Sequence, residues 1–157
     1  MARRRRAERR SLEPDRKYNN ELVAHFISKM MERGKKTISE RIVYGALDRV
    51  KEKMPGENPL EVLIRAIDNV KPKVEVKSRR VGGATYQVPV EVSPARQRAL
   101  ALRWIIQYAQ ARKGVPMGQA LALELMEAHK NQGNAIKKRD DTYKMAQANR
   151  AFAHYRW

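Results

Sequence analysis

The side chains best equipped for chemistry in this sequence are cations, and they come in clusters. Lys77, Arg79 and Arg80 stand just ahead of Gly82-Gly83, inside the stretch VEVKSRRVGGATYQVPVEV at residues 74 to 92. Arg3, Arg4, Arg5, Arg6, Arg9 and Arg10 crowd the N-terminus. Lys35-Lys36, Lys71, Lys73, Arg96, Arg98, Arg112-Lys113 and Lys137-Lys138-Arg139 are spread between and beyond them. Guanidinium forks suit phosphate oxygens and stack on exposed bases. The chemistry these residues offer is recognition of a polyanion.

Bond-making chemistry finds little support. His25, His129 and His154 are scattered without metal-ligand spacing. Val81-Gly82-Gly83-Ala84 is not a phosphate-binding loop of the strand-loop-helix kind, because it turns into a second strand. Asp140-Asp141 reads as a charge pair at a helix N-terminus rather than an acid/base dyad. The chain has no cysteine, which excludes a disulfide scaffold, a thiolate nucleophile and a cysteine zinc site. No catalytic residue, metal or cofactor is expected.

The charge balance agrees. Lys and Arg number 34 against 17 Asp and Glu, a net charge of +17. Such an excess resists compaction by self-repulsion, and a polyanion relieves it. Nucleic acid is the first partner this implies, and an anionic membrane the second. No run approaches the roughly 18 apolar residues of a spanning helix. The arginine-rich start lacks the apolar stretch of a secretory signal. A soluble protein with no membrane partner is expected.

The elements that must position these cations are mostly helices. Leu22, Val23, Phe26, Ile27, Met30 and Met31 form one helical face, with Asn19 or Asn20 as its cap and Gly34 as its stop. Lys35 and Lys36 read as a short loop, and Thr37 with Glu40 has capping-box spacing. Ile42, Val43, Ala46, Leu47 and Val50 make a second stripe. Asn58-Pro59 opens a third helix with Leu60, Leu63, Ile64 and Ile67 inward, and Pro72 bounds it. Ser93-Pro94 opens a fourth, carrying Ala99, Leu102, Ile105, Ile106 and Ala109. A fifth runs near 116 to 130, and Asn131-Gln132-Gly133 breaks it. A polar sixth runs from about 136 to 148. The fold class is mainly α: a bundle of about six helices with a protruding two-stranded β-ribbon and a basic N-terminal arm. The organisation expected is an arm at 1–17 and a single helical domain at 18–157, with the ribbon at about 73–92 and a polar C-terminal helix and tail.

The arm has eight Arg and Lys against three acids and few apolar residues, so it is expected to stay disordered until something anionic holds it. In the ribbon, alternation predicts Val74, Val76, Tyr86, Val88, Val90 and Val92 on one face and Glu75, Lys77, Arg79, Thr85, Gln87 and Glu91 on the other. Gly82 and Gly83 permit a primed two-residue turn. An isolated hairpin is marginal in water, so the tip must be loose or clamped by a partner. Its arginines make that partner anionic. The tail aromatics Phe152, Tyr155 and Trp157 have two readings, stacking on bases or packing back on the bundle. Trp104 reads as core or groove wall.

Two longer stretches carry a family resemblance. SRRVGGATYQVPVEVSPARQRALALRW, residues 78 to 104, resembles the hairpin and following helix of the bacterial seventh small-subunit ribosomal protein family. Asn20, Leu22, Phe26-Ile27, Gly34-Lys35-Lys36, Ile42-Val43 and Ala46 stand at that family's spacing, and MARRRRAE and ANRAFAHYRW fit its ends. The resemblance covers essentially the whole chain. It implies a structural, cytoplasmic constituent of the small ribosomal subunit. Such a protein binds the 3′ major domain of the ribosomal RNA, nucleates assembly of the subunit head and lies near the exit site. Arg79, Arg80, Gly82, Gly83 and Ala84 would face exit-site transfer RNA. The arm, Lys35-Lys36, the ribbon base and Arg112-Lys113 would hold ribosomal RNA. Arg150, Tyr155, Arg156 and Trp157 would approach neighbouring proteins, including the eleventh of the subunit, and the exit-site region. Some members continue past the residue matching Trp157, and contacts of such an extension are not expected here. The rival on pattern alone is a DNA-architectural protein with a β-ribbon arm. Those proteins kink duplexes with an apolar or proline wedge. Here the tip is glycine and arginine, with Pro89 set back from it.

Overall fold

The computed structural model describes residues 12–155. The arm arginines Arg3 to Arg10, and Arg156 and Trp157 of the tail, lie outside them. Six α-helices follow in chain order: α1 Glu21–Met30, α2 Lys36–Lys53, α3 Pro59–Val70, α4 Pro94–Gln110, α5 Met117–His129 and α6 Asn134–Ala148. The strands β1 Val74–Val81 and β2 Ala84–Glu91 stand between α3 and α4. A 3-10 helix, Arg150–Tyr155, closes the described chain and is here called the tail helix. The mainly helical architecture with one antiparallel ribbon matches the reading from sequence.

Several helix starts obey their local chemistry. The Asn20 side chain accepts from the Leu22 N–H at 2.8 Å, and Asn58 accepts from the Leu60 N–H at 3.0 Å. Each satisfies an amide that the helix leaves without a partner. Pro59 and Pro94 take first-turn positions where no N–H is needed. The expected capping box at Thr37 and Glu40 does not form. Helix α2 begins at Lys36 with Lys35 as its cap residue, so Thr37 and Glu40 both lie inside the helix, and Lys36 is not loop. Glu40 instead lies 3.9 Å from the Lys36 ammonium, one turn along. Helix α1 ends before Gly34, and Met31, just past its last turn, is exposed rather than inward.

The core gathers around α5, which packs against α2, α3, α4 and α6. Ala120, Leu121, Ala122, Leu125 and Ala128 bury most of its circumference. The alanines let neighbouring helices approach closely, and the leucines fill the gaps. Phe26 and Ile27 from α1, Leu47 from α2, Leu63 and Ile67 from α3, and Ile105 from α4 complete it. Each such side chain contributes about 1.5–3 kcal/mol on burial. In α3 the inward face also takes Val62, Ala66 and Val70, while Ile64 is only half-buried. Trp104 is core.

One charge sits fully inside. Glu124 on α5 has no exposed surface and receives the Arg112 Nη2 at 2.6 Å and the Ala135 amide at 3.0 Å. The same Nη2 donates to Glu127 at 2.5 Å. A buried carboxylate must be paired to be tolerated, and this one ties the end of α4 and the start of α6 to the central helix. Gly133, ahead of α6, has φ +92°, and a β-carbon there would lie 2.8 Å from the Glu127 carboxylate. Asp140 and Asp141 fall in mid-α6, not at its N-terminus. Asp140 accepts from Arg139 at 2.7 Å, which corrects the helix-end reading.

The ribbon differs from expectation in which residues share a face. Gly82 and Gly83, at φ +57° and +85°, make a two-residue turn, so Val81 pairs with Ala84 and Lys77 with Val88. Directly opposed residues lie on the same side of a pleated pair. Glu75, Lys77 and Arg79 therefore share a face with Tyr86, Val88 and Val90, and Val74 and Val76 lie on the other. A two-residue turn always joins positions of opposite parity, which alternation along each strand does not reveal.

Candidate nucleic-acid interface

The ribbon is held at both ends of its apolar face. Near its base, Glu75 takes the Arg96 Nε on both carboxylate oxygens, at 2.9 and 2.8 Å, and the Lys77 ammonium at 3.2 Å. This staples β1 to the first turn of α4. Tyr143 of α6 adds a tie, its hydroxyl accepting from the Lys73 N–H at 2.9 Å. Toward the tip, Tyr86 lies 5.1 Å from Phe152 and 5.1 Å from Tyr155, ring centre to ring centre. Val88 is fully buried. The described tail aromatics thus pack back on the protein itself, and what they cover is the ribbon. Lys77, Arg79, Arg80, Gly82, Gly83 and Ala84 remain exposed.

A second arrangement surrounds α1, where four surface grooves join through shared residues. The first, about 510 Å³, lies between the α1–α2 loop and the end of α4, with Arg33, Lys35, Gln110 and Arg112 in its walls. Gln110 also lines the next groove, with Lys29 and Arg103. Lys29 continues into a third with Leu12 and Arg98. Leu12 continues into a fourth, where Arg16 and Lys36 stand among Glu13, Asp15 and Glu40. Clusters far apart in the sequence, Lys35-Lys36, Arg98 and Arg112, are thereby brought onto one continuous band. Of these, Arg112 has its guanidinium held by Glu124 and Glu127, and Lys36 faces Glu40. Lys35, Arg98 and Lys113 make no ion pair among the described residues.

The root of the arm lies on this band, fixed by Asp15. That carboxylate accepts from the amides of Lys17, Tyr18 and Asn20 at 3.0, 2.9 and 3.0 Å, and from the Tyr44 hydroxyl at 3.2 Å. Lys17 bonds Asp48 of α2 at 2.6 Å, which raises its pKa above the ordinary lysine value. Asp15 and Lys17, expected to belong to a disordered arm, are therefore seated on the bundle. For residues 1 to 11 that expectation falls outside the described residues.

Lys71 and Lys73 line none of these four grooves. Lys71 pairs with Asp68 at the end of α3, and Lys73 is exposed at the ribbon base. Arg150 is exposed at the start of the tail helix. Lys29, Arg33 and Arg103 do not stand out in the sequence. Lys29 and Arg103 are isolated cations on α1 and α4, and Arg33 stands in the α1–α2 loop two residues before Lys35; packing of α1 against α4 aligns them. Among the described residues no group of His, Asp and Glu side chains could hold a metal ion. No helix among them is long and apolar enough to cross a membrane.

Exposed cations on a band around α1, and a ribbon presenting Arg79 beside its aromatic clamp and Arg80 past it, offer charges suited to an extended polyanion. Comparison with known proteins agrees in kind. The family model described as Ribosomal protein S7p/S5e matches residues 2–150. The small ribosomal subunit protein uS7 of Akkermansia muciniphila is 60% identical over 157 residues, covering 100% of both chains. That of Thermotoga neapolitana is 60% identical over 155 residues, covering 99% of each. That of Desulfotalea psychrophila is 56% identical over 157 residues, covering 100% of both.

Proposed function

The chain belongs to the S7p/S5e family of ribosomal proteins, and on that premise we propose that it is a structural, non-enzymatic constituent of the small ribosomal subunit that binds small-subunit ribosomal RNA. The band of joined grooves around α1 carries this reading. Its cations come from the arm root, the α1–α2 loop, α1 and α4, so one protein surface can neutralise phosphates from RNA segments that would otherwise repel one another. Side chains cannot read the deep, narrow groove of A-form RNA, so selectivity comes from the folded RNA's shape.

The finer reading follows the family. The protein binds the 3′ major domain through the arm, Lys35, Lys36, Arg98 and the ribbon base, and so nucleates assembly of the subunit head. Arg79, Arg80 and the Gly82-Gly83-Ala84 turn contact exit-site transfer RNA. The tail, from Arg150 onward, meets neighbouring small-subunit proteins including the eleventh. The protein works in the cytoplasm, within the ribosome. The ribbon's polar tip favours contact with a phosphate surface over wedging between base pairs, which weighs against a DNA-architectural role.

Substitution of Lys29, Arg98 and Arg103 by alanine tests the band. Binding of a folded 3′ major domain fragment is expected to weaken, and the slope of log affinity against log salt to fall by about one unit for each phosphate left without its cation. Unchanged affinity and slope would remove the band from the interface.

A further inference from the structure

Asp15 is acidic, nearly buried, and sits where the basic arm joins the bundle. Its relative exposure is 7%, and it accepts hydrogen bonds from its own segment and from Tyr44. The backbone repeats the closure, with the Asn19 N–H on the Asp15 carbonyl at 3.0 Å. Asn19 itself has φ +48°, so the chain reverses sharply between Asp15 and α1. Burial and the nearby Asp15 charge raise the Tyr44 hydroxyl pKa above the usual tyrosine value. The segment this loop fixes lines the groove holding Lys36, and its first described residue, Leu12, lines both that groove and the one holding Arg98.

We infer that Asp15 is a positioning residue for RNA binding: by folding residues 15 to 20 onto α1 and α2, it fixes the point beside the basic band from which the arginine arm leaves. This rests on the ribosomal RNA-binding reading above. A carboxylate among so many cations weakens phosphate attraction if it only adds charge. Here four donors occupy it, and it faces the protein rather than the surface. Its benefit is preorganisation, because an arm that starts from a fixed root loses less freedom on binding than one hinged at α1.

The test is a double-mutant cycle in the full-length chain. Asp15→Ala is combined with an arm in which Arg3 to Arg6, Arg9 and Arg10 are alanine, and binding of a folded 3′ major domain fragment is followed across salt. With the native arm, Asp15→Ala is expected to weaken binding about five- to tenfold and to flatten the salt slope. With the neutral arm it is expected to change affinity less than about twofold. Should Asp15→Ala fail to fold, Tyr44→Phe serves in its place, expected to weaken binding about twofold with the native arm and not with the neutral one. Equal losses in both backgrounds would overturn the inference, leaving Asp15 a structural residue. An effect of the neutral arm alone, with none from Asp15→Ala, would also overturn it while sparing the arm's role. A neutral arm that binds as well as the native one would overturn both.

Discussion

Tyr86 of the ribbon and Phe152 of the tail helix lie 5.1 Å apart, ring centre to ring centre, with their planes inclined at 50°. Tyr155 completes the group at 5.1 Å from Tyr86. The ribbon is therefore braced by the end of its own chain at the level of Arg79, which pairs with Tyr86, while Arg80 and the glycine turn lie past the brace. A two-stranded hairpin has too little surface to hold itself. Tilted aromatic pairs add about 0.5–1.5 kcal/mol each beyond the apolar area they cover.

Phe152→Ala with Tyr155→Ala is thus expected to loosen the ribbon without melting the bundle. Amide hydrogen exchange should speed up about tenfold or more along β2, the equivalent of about 1.4 kcal/mol of lost protection. Amides of α5 should keep their rates. Uniform acceleration through the protein would mean the tail supports the whole fold instead.

Arg112→Ala is expected to be severe for a different reason. It leaves the Glu124 carboxylate buried beside Glu127 with no cation, a loss of about 3–5 kcal/mol. Thermal unfolding should drop by about 10 °C or more. Glu124→Gln should cost less, since its amide oxygen can still accept from the Ala135 N–H. A calorimetric scan ranks the two, and the reverse order would show that the bridge adds little to stability.

Gly133→Ala should destabilise by about 1–3 kcal/mol. Its positive φ disfavours any side chain, and the new methyl would press on the Glu127 carboxylate that Arg112 already holds. Wild-type stability in chemical denaturation would show that the loop before α6 can relax.

Much of this is legible in the sequence. Asn58-Pro59 announces the start of α3, Gly82-Gly83 the turn, and the run of alanines and leucines in α5 a buried helix. What escapes depends on packing between distant segments. Tyr86 meets Phe152 through a 3-10 helix that no periodicity announces. Asp15 accepts three hydrogen bonds from its own neighbours and a fourth from Tyr44, none of which the sequence displays, so it reads as one more acid in a basic arm. Alternation misassigns the ribbon's faces because turn length sets which side of β2 matches which side of β1. The band around α1 is half visible, since its clusters stand out but the seam joining them requires α1 and α4 to be packed.

The ribbon tip and the band should separate by substrate. Arg79→Ala with Arg80→Ala is expected to reduce transfer RNA retention by assembled subunits more than it reduces ribosomal RNA binding. Lys35→Ala with Lys36→Ala should do the opposite, flattening the salt dependence of ribosomal RNA binding by about one unit per phosphate left without its cation. Filter binding of both RNAs with both variants measures this, and equal losses everywhere would merge the tip into the assembly footprint.

The most direct measurement is competition. The purified protein is bound to a folded fragment of the 3′ major domain while duplex DNA of equal length is added in excess, across a range of salt. Binding that survives excess DNA at physiological salt is the predicted result, because the proposed function requires the band and ribbon to recognise a folded RNA rather than charge alone. Equal competition at every salt would contradict it and leave a basic protein with no preferred shape.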